Sequence, residues 1–496
     1  MKFLLKPIDP AKLASDVLVA FCWEKDLSSL RQLDEKLSGL ITEAIKKEGF
    51  AGKENEYLIL STKGDIGSYK ILVAGLGERE NFDIFSLIKA TAFTLKKAKE
   101  AKPAKIGLII DDYWIKKLTA QQTVQTIVET VILSNYRFLK YKSQKDQLRE
   151  IEEVDLIIHP SKIALVEEAI KIGQIYASAT NLARDLVNEP GAVTTPSYLA
   201  DIACNISKDS SNKIKVRILN KDKIEKLGMG AYLGVAKGAD EAPKFIHLAY
   251  KSAGSRKKVV IIGKGITFDT GGLSLKSSEH METMKQDMAG AAVVLAVFNA
   301  LPQLRIAADV VGLIPACENM PSASAIKPGD ILHAANGKTI EVINTDAEGR
   351  LTLADAISYA NAFEKPDYII DVATLTGACR SALGEDIAGL WGNSEELLEK
   401  IKKAGSVSGE KLWQMPLEKD YRELVKSDIA DIRNTSTGKY GGAITAALFL
   451  ADFVGDSPWI HLDIAGPAYM EKETALTPKG GSGFGVRLLL QFLKEL

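Results

Sequence analysis

Over the first 160 residues, short β-branched runs alternate with helix-length amphipathic stretches, and that alternation constrains the fold more than any other feature of the chain. Antiparallel strands can be joined by two-residue turns, whereas parallel strands need a long crossover, which helices supply. Runs at 16–21, 57–61, 70–74, 106–110 and 154–159 read as strands, with helical patterns at 30–47, 82–101 and 120–138 between them. Residues 161–188 contain no proline and only Gly173 as an interior breaker, and Ile163, Val166, Ile170 and Ala177 fall on one face. They predict a single long helix ending at the breaker cluster 188–191. Beyond it come strands at 257–263, 306–315 and 368–373, helices at 289–301 and 353–363, and a glycine-rich loop running into an amphipathic helix within 480–496. The expected fold is α/β with two domains, 1–160 and 189–496, joined by the helix 161–188. Each domain is expected to be a mixed or mostly parallel sheet flanked by helices.

A chain of 496 residues can bury the core of two or three such domains. Its 63 Lys and Arg nearly balance 64 Asp and Glu, which excludes a bulk attraction to nucleic acid or anionic membranes and leaves only a local basic cluster at 96–105. Lys6, Asp9 and Pro10 interrupt the opening apolar residues before a signal-peptide core forms. The longest apolar run, 288–302, falls short of the roughly 20 residues a membrane-spanning helix needs. A cytoplasmic protein with no membrane partner is expected. The four cysteines show no CxxC spacing and the five histidines no HExxH pattern, so neither a thiolate nor a histidine metal site is indicated.

Chemistry is expected where polar groups follow strands, because ligands of open α/β sheets bind at the carboxyl edge. Two segments qualify. GKGITFDTGG at 263–272 follows the apolar strand and brings Lys264 and Asp269, with Lys276 and Asp287 close behind. NTDAEGR at 344–350 brings Asp346, Glu348 and Arg350, each two residues from the last, so that an extended backbone would point all three to one side. Adjacent carboxylates repel unless a cation lies between them, and a divalent metal fits that role. Oxygen donors without thiolate or imidazole suit magnesium or manganese and tolerate zinc. Two ions sharing carboxylates about 3.5 to 4 Å apart would activate a water. The GKG turn matches neither phosphate-loop spacing, although a phosphoryl-transfer enzyme would use a similar set of carboxylates and metals.

These residues also carry a family resemblance. NTDAEGRL at 344–351 and GKGITFDTGGLSLK at 263–276 resemble the two metal-binding signatures of the cytosol (leucyl) aminopeptidases, and NEP at 188–190, ATLTGA at 373–378 and HLDIAG at 461–466 extend the likeness over 180–496. Residues before 160 are similar only in general α/β character. The resemblance implies that Lys264, Asp269, Asp287 and Glu348 hold one divalent ion and Asp269, Asp346 and Glu348 another, each Mn2+, Zn2+ or Mg2+. Lys264 as a ligand is known here only through that likeness. It further implies that Lys276 polarises the scissile carbonyl and that Arg350 holds a bicarbonate acting as general base. Met284, Asn344, Thr374, Leu375 and Ala465 would line the pocket for the first side chain, with Gly377 beside it. The expected activity is removal of N-terminal, leucine-like apolar residues from peptides by a metal-bridging hydroxide, in a homo-hexamer with its sites facing an interior cavity. Some relatives also act on DNA; a nucleic-acid role here has only the 96–105 cluster behind it.

Overall fold

A computed structural model describes residues 1–143, 151–255, 257–436 and 438–496, which fall into two compact units. The first comprises Met1–Ser178 with Glu473–Pro478, the second Ala179–Lys472 with Lys479–Leu496. The helix Ile163–Asn188 contributes to each.

In the first unit six strands lie in the order Lys2–Lys6, Glu153–Ile157, Lys105–Ile109, Val17–Cys22, Lys70–Gly75 and Tyr57–Ser61. All neighbours are parallel except the last pair. Val17–Cys22 is buried at every position because apolar clusters cover both faces of the sheet. Gly173 has a packing role: a Cβ there would meet the Gln125 carbonyl oxygen at 2.9 Å and the Val128 Cβ at 3.0 Å, so the missing side chain lets the long helix seat against the helix Ala120–Ser134.

Two features of this unit depart from expectation. The stretch 30–47 is two helices, Arg31–Lys36 and Leu40–Glu48, because Ser38 (φ 54°) and Gly39 (φ 84°) turn left-handed between them. Asp34 then serves the second helix, its Oδ1 accepting from the Ile41 N–H at 2.7 Å. The strand Lys2–Lys6 has no period-two pattern to announce it; as an edge strand it is only partly covered.

The second unit holds a nine-stranded mixed sheet. At its centre Trp459–Asp463, Tyr368–Ala373, Lys258–Gly263 and Asp309–Asn319 run parallel in that order. Val259, Val260, Ile261 and Ile262 have no exposed surface, and the helix Ala289–Ala300 is buried at every position but Asn299. Such continuous apolar runs are what a sheet covered on both faces requires. The expected strand 306–315 lies further along, at Asp309–Asn319, and the glycine-rich segment after Lys264 is itself a strand, Gly265–Asp269, parallel to Asp309–Asn319. The chain closes on the helix Val486–Lys494.

Candidate active site

Polar side chains collect at the carboxyl ends of the four central strands. Lys264 follows Lys258–Gly263, Thr374 follows Tyr368–Ala373, and Asn319 and Asp463 close their own strands. Glycines permit this crowding. A Cβ on Gly290 would lie 2.1 Å from the Val372 carbonyl oxygen, so the helix that follows Asp287 can press its first turn onto the sheet. There the Lys264 N–H donates to Val372 O at 3.0 Å, and the Ala291 N–H donates to Lys264 O at 2.9 Å.

The second segment reaches the same place by a route that differs from the expected one. Residues 344–347 form a turn, in which the Ala347 N–H donates to Asn344 O at 3.2 Å and the Asp346 N–H to Asn344 Oδ1 at 2.8 Å. Glu348 is already helical, and the helix Gly349–Tyr359 begins after it. Asp346 and Glu348 therefore converge through a turn and not through strand alternation. Arg350 does not project with them. It lies within the helix, is buried, and its Nη1 donates to the Asn434 carbonyl oxygen at 2.9 Å.

Asp269, Asp346 and Glu348 each present a carboxylate oxygen within 4.8 Å of the others. Asp287 joins them through Lys264, whose Nζ lies 2.7 Å from Asp287 Oδ2 and 2.9 Å from Glu348 Oε1 and also donates to Thr374 O at 3.0 Å. Lys276 Nζ lies 2.9 Å from Asp269 Oδ2 and pairs closely with Asp346 Oδ1. The two ammonium groups thus sit where the sequence required cations between carboxylates.

Burial alone would lower the pKa of Lys264, but the charges of Asp287, Glu348 and Asp269 outweigh it and hold the ammonium above the usual lysine range. Lys276 is raised in the same way, with Asp269 and Glu348 prevailing over burial. Burial raises the Asp287 carboxyl despite Lys264, and it raises Asp269 with help from the Glu348 charge. Arg350 is pushed down to about 10 by burial, against the charges of Glu348 and Asp463. Glu348 Oε2 is buried with no hydrogen-bond partner, as is Arg350 Nε. A buried carboxylate oxygen without a donor, within an all-oxygen set beside one amine, has the donor chemistry of a divalent-cation site. A buried guanidinium N–H without an acceptor likewise fits a small planar anion.

One cavity of about 590 Å³ is lined by Lys264, Asp269, Lys276, Asp287, Asp346 and Glu348 and equally by Met284, Asn344, Thr374, Leu375, Gly377 and Ala465. Of the residues singled out in the sequence, only Arg350 lies outside this lining. His280 and Arg380 add to its wall, whereas buried His461 is paired with Asp371 at 2.6 Å and His247 with Glu364 at 2.8 Å.

A supporting layer escaped the sequence reading. Asn319 Nδ2 donates to Asp269 Oδ1 at 2.8 Å and to Thr345 O at 3.0 Å, tying the two segments together. Asn434 receives the Ile343 N–H on Oδ1 at 2.8 Å and donates to Asn344 O at 2.7 Å, while Thr374 Oγ1 donates to Asp287 Oδ1 at 2.7 Å. Each is a single polar residue whose partners lie 26 to 91 positions away. Thr374 stands out in the sequence only as a pocket residue implied by the family likeness, and Asn319 lies beyond the strand expected at 306–315.

Comparison with known proteins places the chain among relatives over its full length. Residues 181–490 match the model of the cytosol aminopeptidase family catalytic domain, and residues 18–145 match that family's N-terminal domain. A probable cytosol aminopeptidase of Sulfurihydrogenibium sp. is 43% identical over 491 residues, covering 98% of this chain and 96% of its own. One from Alkaliphilus metalliredigens is 40% identical over 504 residues, covering 100% of each. A mutant of tomato leucine aminopeptidase superposes with a TM-score of 0.90 at 35% identity, covering 100% of this chain and 97% of that one. The bottromycin maturation enzyme BotP in complex with Mn gives 0.85 at 31%, covering 97% and 99%.

Proposed function

The chain belongs to the cytosol aminopeptidase family and is a metal-dependent aminopeptidase acting on peptides, and from that premise we propose that it removes leucine-like N-terminal residues using two divalent ions in the Lys264–Glu348 cluster. The observation that carries the proposal is the convergence of four buried or half-buried carboxylates and two lysines in one cavity, three of the carboxylates within 4.8 Å of one another. Lys264, Asp269, Asp287 and Glu348 would hold one ion, and Asp269, Asp346 and Glu348 the other. Manganese, zinc and magnesium all suit this donor set. When bound, the pair supplies a water activated as hydroxide at neutral pH and Lewis acidity toward the scissile carbonyl.

The chain's own groups do the remaining work. With ions bound, Lys264 would release its proton to solvent and offer a neutral amine. Lys276, then free of its pairing with Asp269 and Asp346, would direct its ammonium to the carbonyl oxygen of the first peptide bond, where negative charge develops. Arg350 would hold a bicarbonate through its unpartnered Nε–H, which would supply a base near the reacting centre. Met284, Asn344, Thr374, Leu375, Gly377 and Ala465 receive the first side chain, and their mixed apolar lining supports an apolar preference.

We also propose a cytoplasmic homo-hexamer. No helix among the described residues is long and apolar enough to cross a membrane. In the 96–105 cluster three of the five lysines are ion-paired, Lys96 with Glu473, Lys97 with Glu100 and Lys105 with Glu153 and Asp155, which reduces the charge it offers to nucleic acid. A panel of amino-acid amides assayed with manganese, zinc or magnesium tests the reading. Leucine and methionine amides should be cleaved fastest, and equal rates on glycine and aspartate amides would contradict the preference.

A further inference from the structure

Asp463 is fully buried at the end of a central strand, and none of its hydrogen bonds goes to the carboxylate cluster. Its Oδ1 accepts from the Leu375 N–H and from the Ala465 N–H, each at 3.1 Å, and its Oδ2 accepts from Thr376 Oγ1 at 2.7 Å. Leu375, Thr376 and Ala465 all line the catalytic cavity, on two loops that leave neighbouring strands. The adjoining residue, Thr374, is fastened to the cluster itself, through its carbonyl to Lys264 at 3.0 Å and through its hydroxyl to Asp287 at 2.7 Å. One buried carboxylate therefore joins two cavity walls and fixes them relative to the reacting centre.

We propose that Asp463 is a positioning residue that sets the discrimination among first side chains. This rests on the aminopeptidase reading above. Loop backbone carries no preferred position of its own, and Leu375, Thr376 and Ala465 are held at fixed separations by the two oxygens of one charged carboxylate. Thr376 adds the third tether and also starts the helix Gly377–Leu383, its Oγ1 accepting from the Cys379 N–H at 3.0 Å. A wall displaced by less than a methyl group changes which side chains fit, since one methylene in such a pocket is worth roughly 10- to 200-fold in kcat/KM.

The test compares kcat/KM for leucine amide and glycine amide, together with metal content, in the full-length metal-loaded protein and in Asp463→Asn, Thr376→Val and Thr376→Ser. Asp463→Asn keeps one amide oxygen for the Leu375 and Ala465 N–H groups but loses the charge that strengthens those bonds and sets an NH2 where Thr376 Oγ1 donates. It should bind metal as the parent does, yet its leucine-to-glycine ratio should fall about tenfold or more through the KM for leucine amide. Thr376→Val should show a smaller fall, which Thr376→Ser, with its hydroxyl kept, should reverse. Should Asp463→Asn fail to fold, the Thr376 pair decides. A ratio within about twofold of the parent in Thr376→Val, or in a folded Asp463→Asn, would overturn the role, whatever happens to melting temperature. The parent's own rate on leucine amide separately tests the underlying reading.

Discussion

Lys264 Nζ reaches both carboxylate oxygens of Asp287, at 2.8 Å from Oδ1 and 2.7 Å from Oδ2, in a pocket where each side chain is at most 6% exposed. In the proposed reading a divalent ion would share this place, so loading the site would require Lys264 to exchange its proton for the ion.

Metal affinity should therefore rise with pH. Lys264 holds its proton above the usual range because Asp287, Glu348 and Asp269 prevail over burial, and burial holds the Asp287 and Asp269 carboxyls above theirs. An incoming ion must displace those protons, so raising the pH lowers the cost of binding. Calorimetric titration of the metal-free protein with manganese should show proton release in buffers of differing ionisation heat, and an affinity unchanged between about pH 6 and about pH 8 would count against Lys264 as a ligand.

Removing a shared ligand should cost more than removing an outer one. The side chains of Asp269 and Glu348 are 3% and 2% exposed and that of Asp346 is 33% exposed. Asp269→Ala and Glu348→Ala should abolish turnover and strip both ions, whereas Asp346→Ala should lose mainly one. Metal analysis by mass spectrometry distinguishes these, and two tightly held ions with normal turnover in Glu348→Ala would refute the shared site.

Lys276→Ala should keep its metals and lose about 10²- to 10³-fold in kcat with little change in KM, as expected for a cation directed at a developing oxyanion. Arg350→Ala should be milder, because water or buffer anions can partly replace the held base. Added bicarbonate should raise the parent's rate more than that of Arg350→Ala.

Gly349→Ala is a purely steric test. An added Cβ would lie 2.4 Å from Lys264 Cε and 2.7 Å from its Nζ. Alanine is otherwise the better helix former, so a surface-like position would gain stability. The expected outcome is a loss of about 1 to 3 kcal/mol in thermal or chemical unfolding, together with weaker metal binding. A more stable variant with full metal affinity would show that Lys264 is not confined as described.

Much of this arrangement was legible in the chain because its chemistry is dense in sequence. Asp346 and Glu348 lie two residues apart, Lys264 and Asp269 five, and no ordinary turn needs two carboxylates and an arginine together. The direction of the side chains was not legible: period-two reasoning placed Arg350 with the carboxylates, while the helix beginning at Gly349 carries it away to Asn434. The anchors left little local trace: Asn319 and Asn434 act on partners 26 to 91 positions distant, and Asp463, apart from Ala465 two residues on, holds Leu375 and Thr376 88 and 87 positions away. The break at Ser38–Gly39 is present in the chain as a Ser-Gly pair, but the helical periodicity on either side of it reads as one continuous 30–47 helix.

The most direct measurement of the central claim is a titration of metal-free protein with manganese, following hydrolysis of leucine amide and acetyl-leucine amide in parallel. A neutral α-amine can complete an open metal position and an acetylated one cannot. Activity on leucine amide should appear only as ions bind, reach its plateau at two per chain, and exceed that on the acetylated substrate by at least about 100-fold. Turnover in the presence of a chelator, or comparable rates on the two substrates at full loading, would contradict the account.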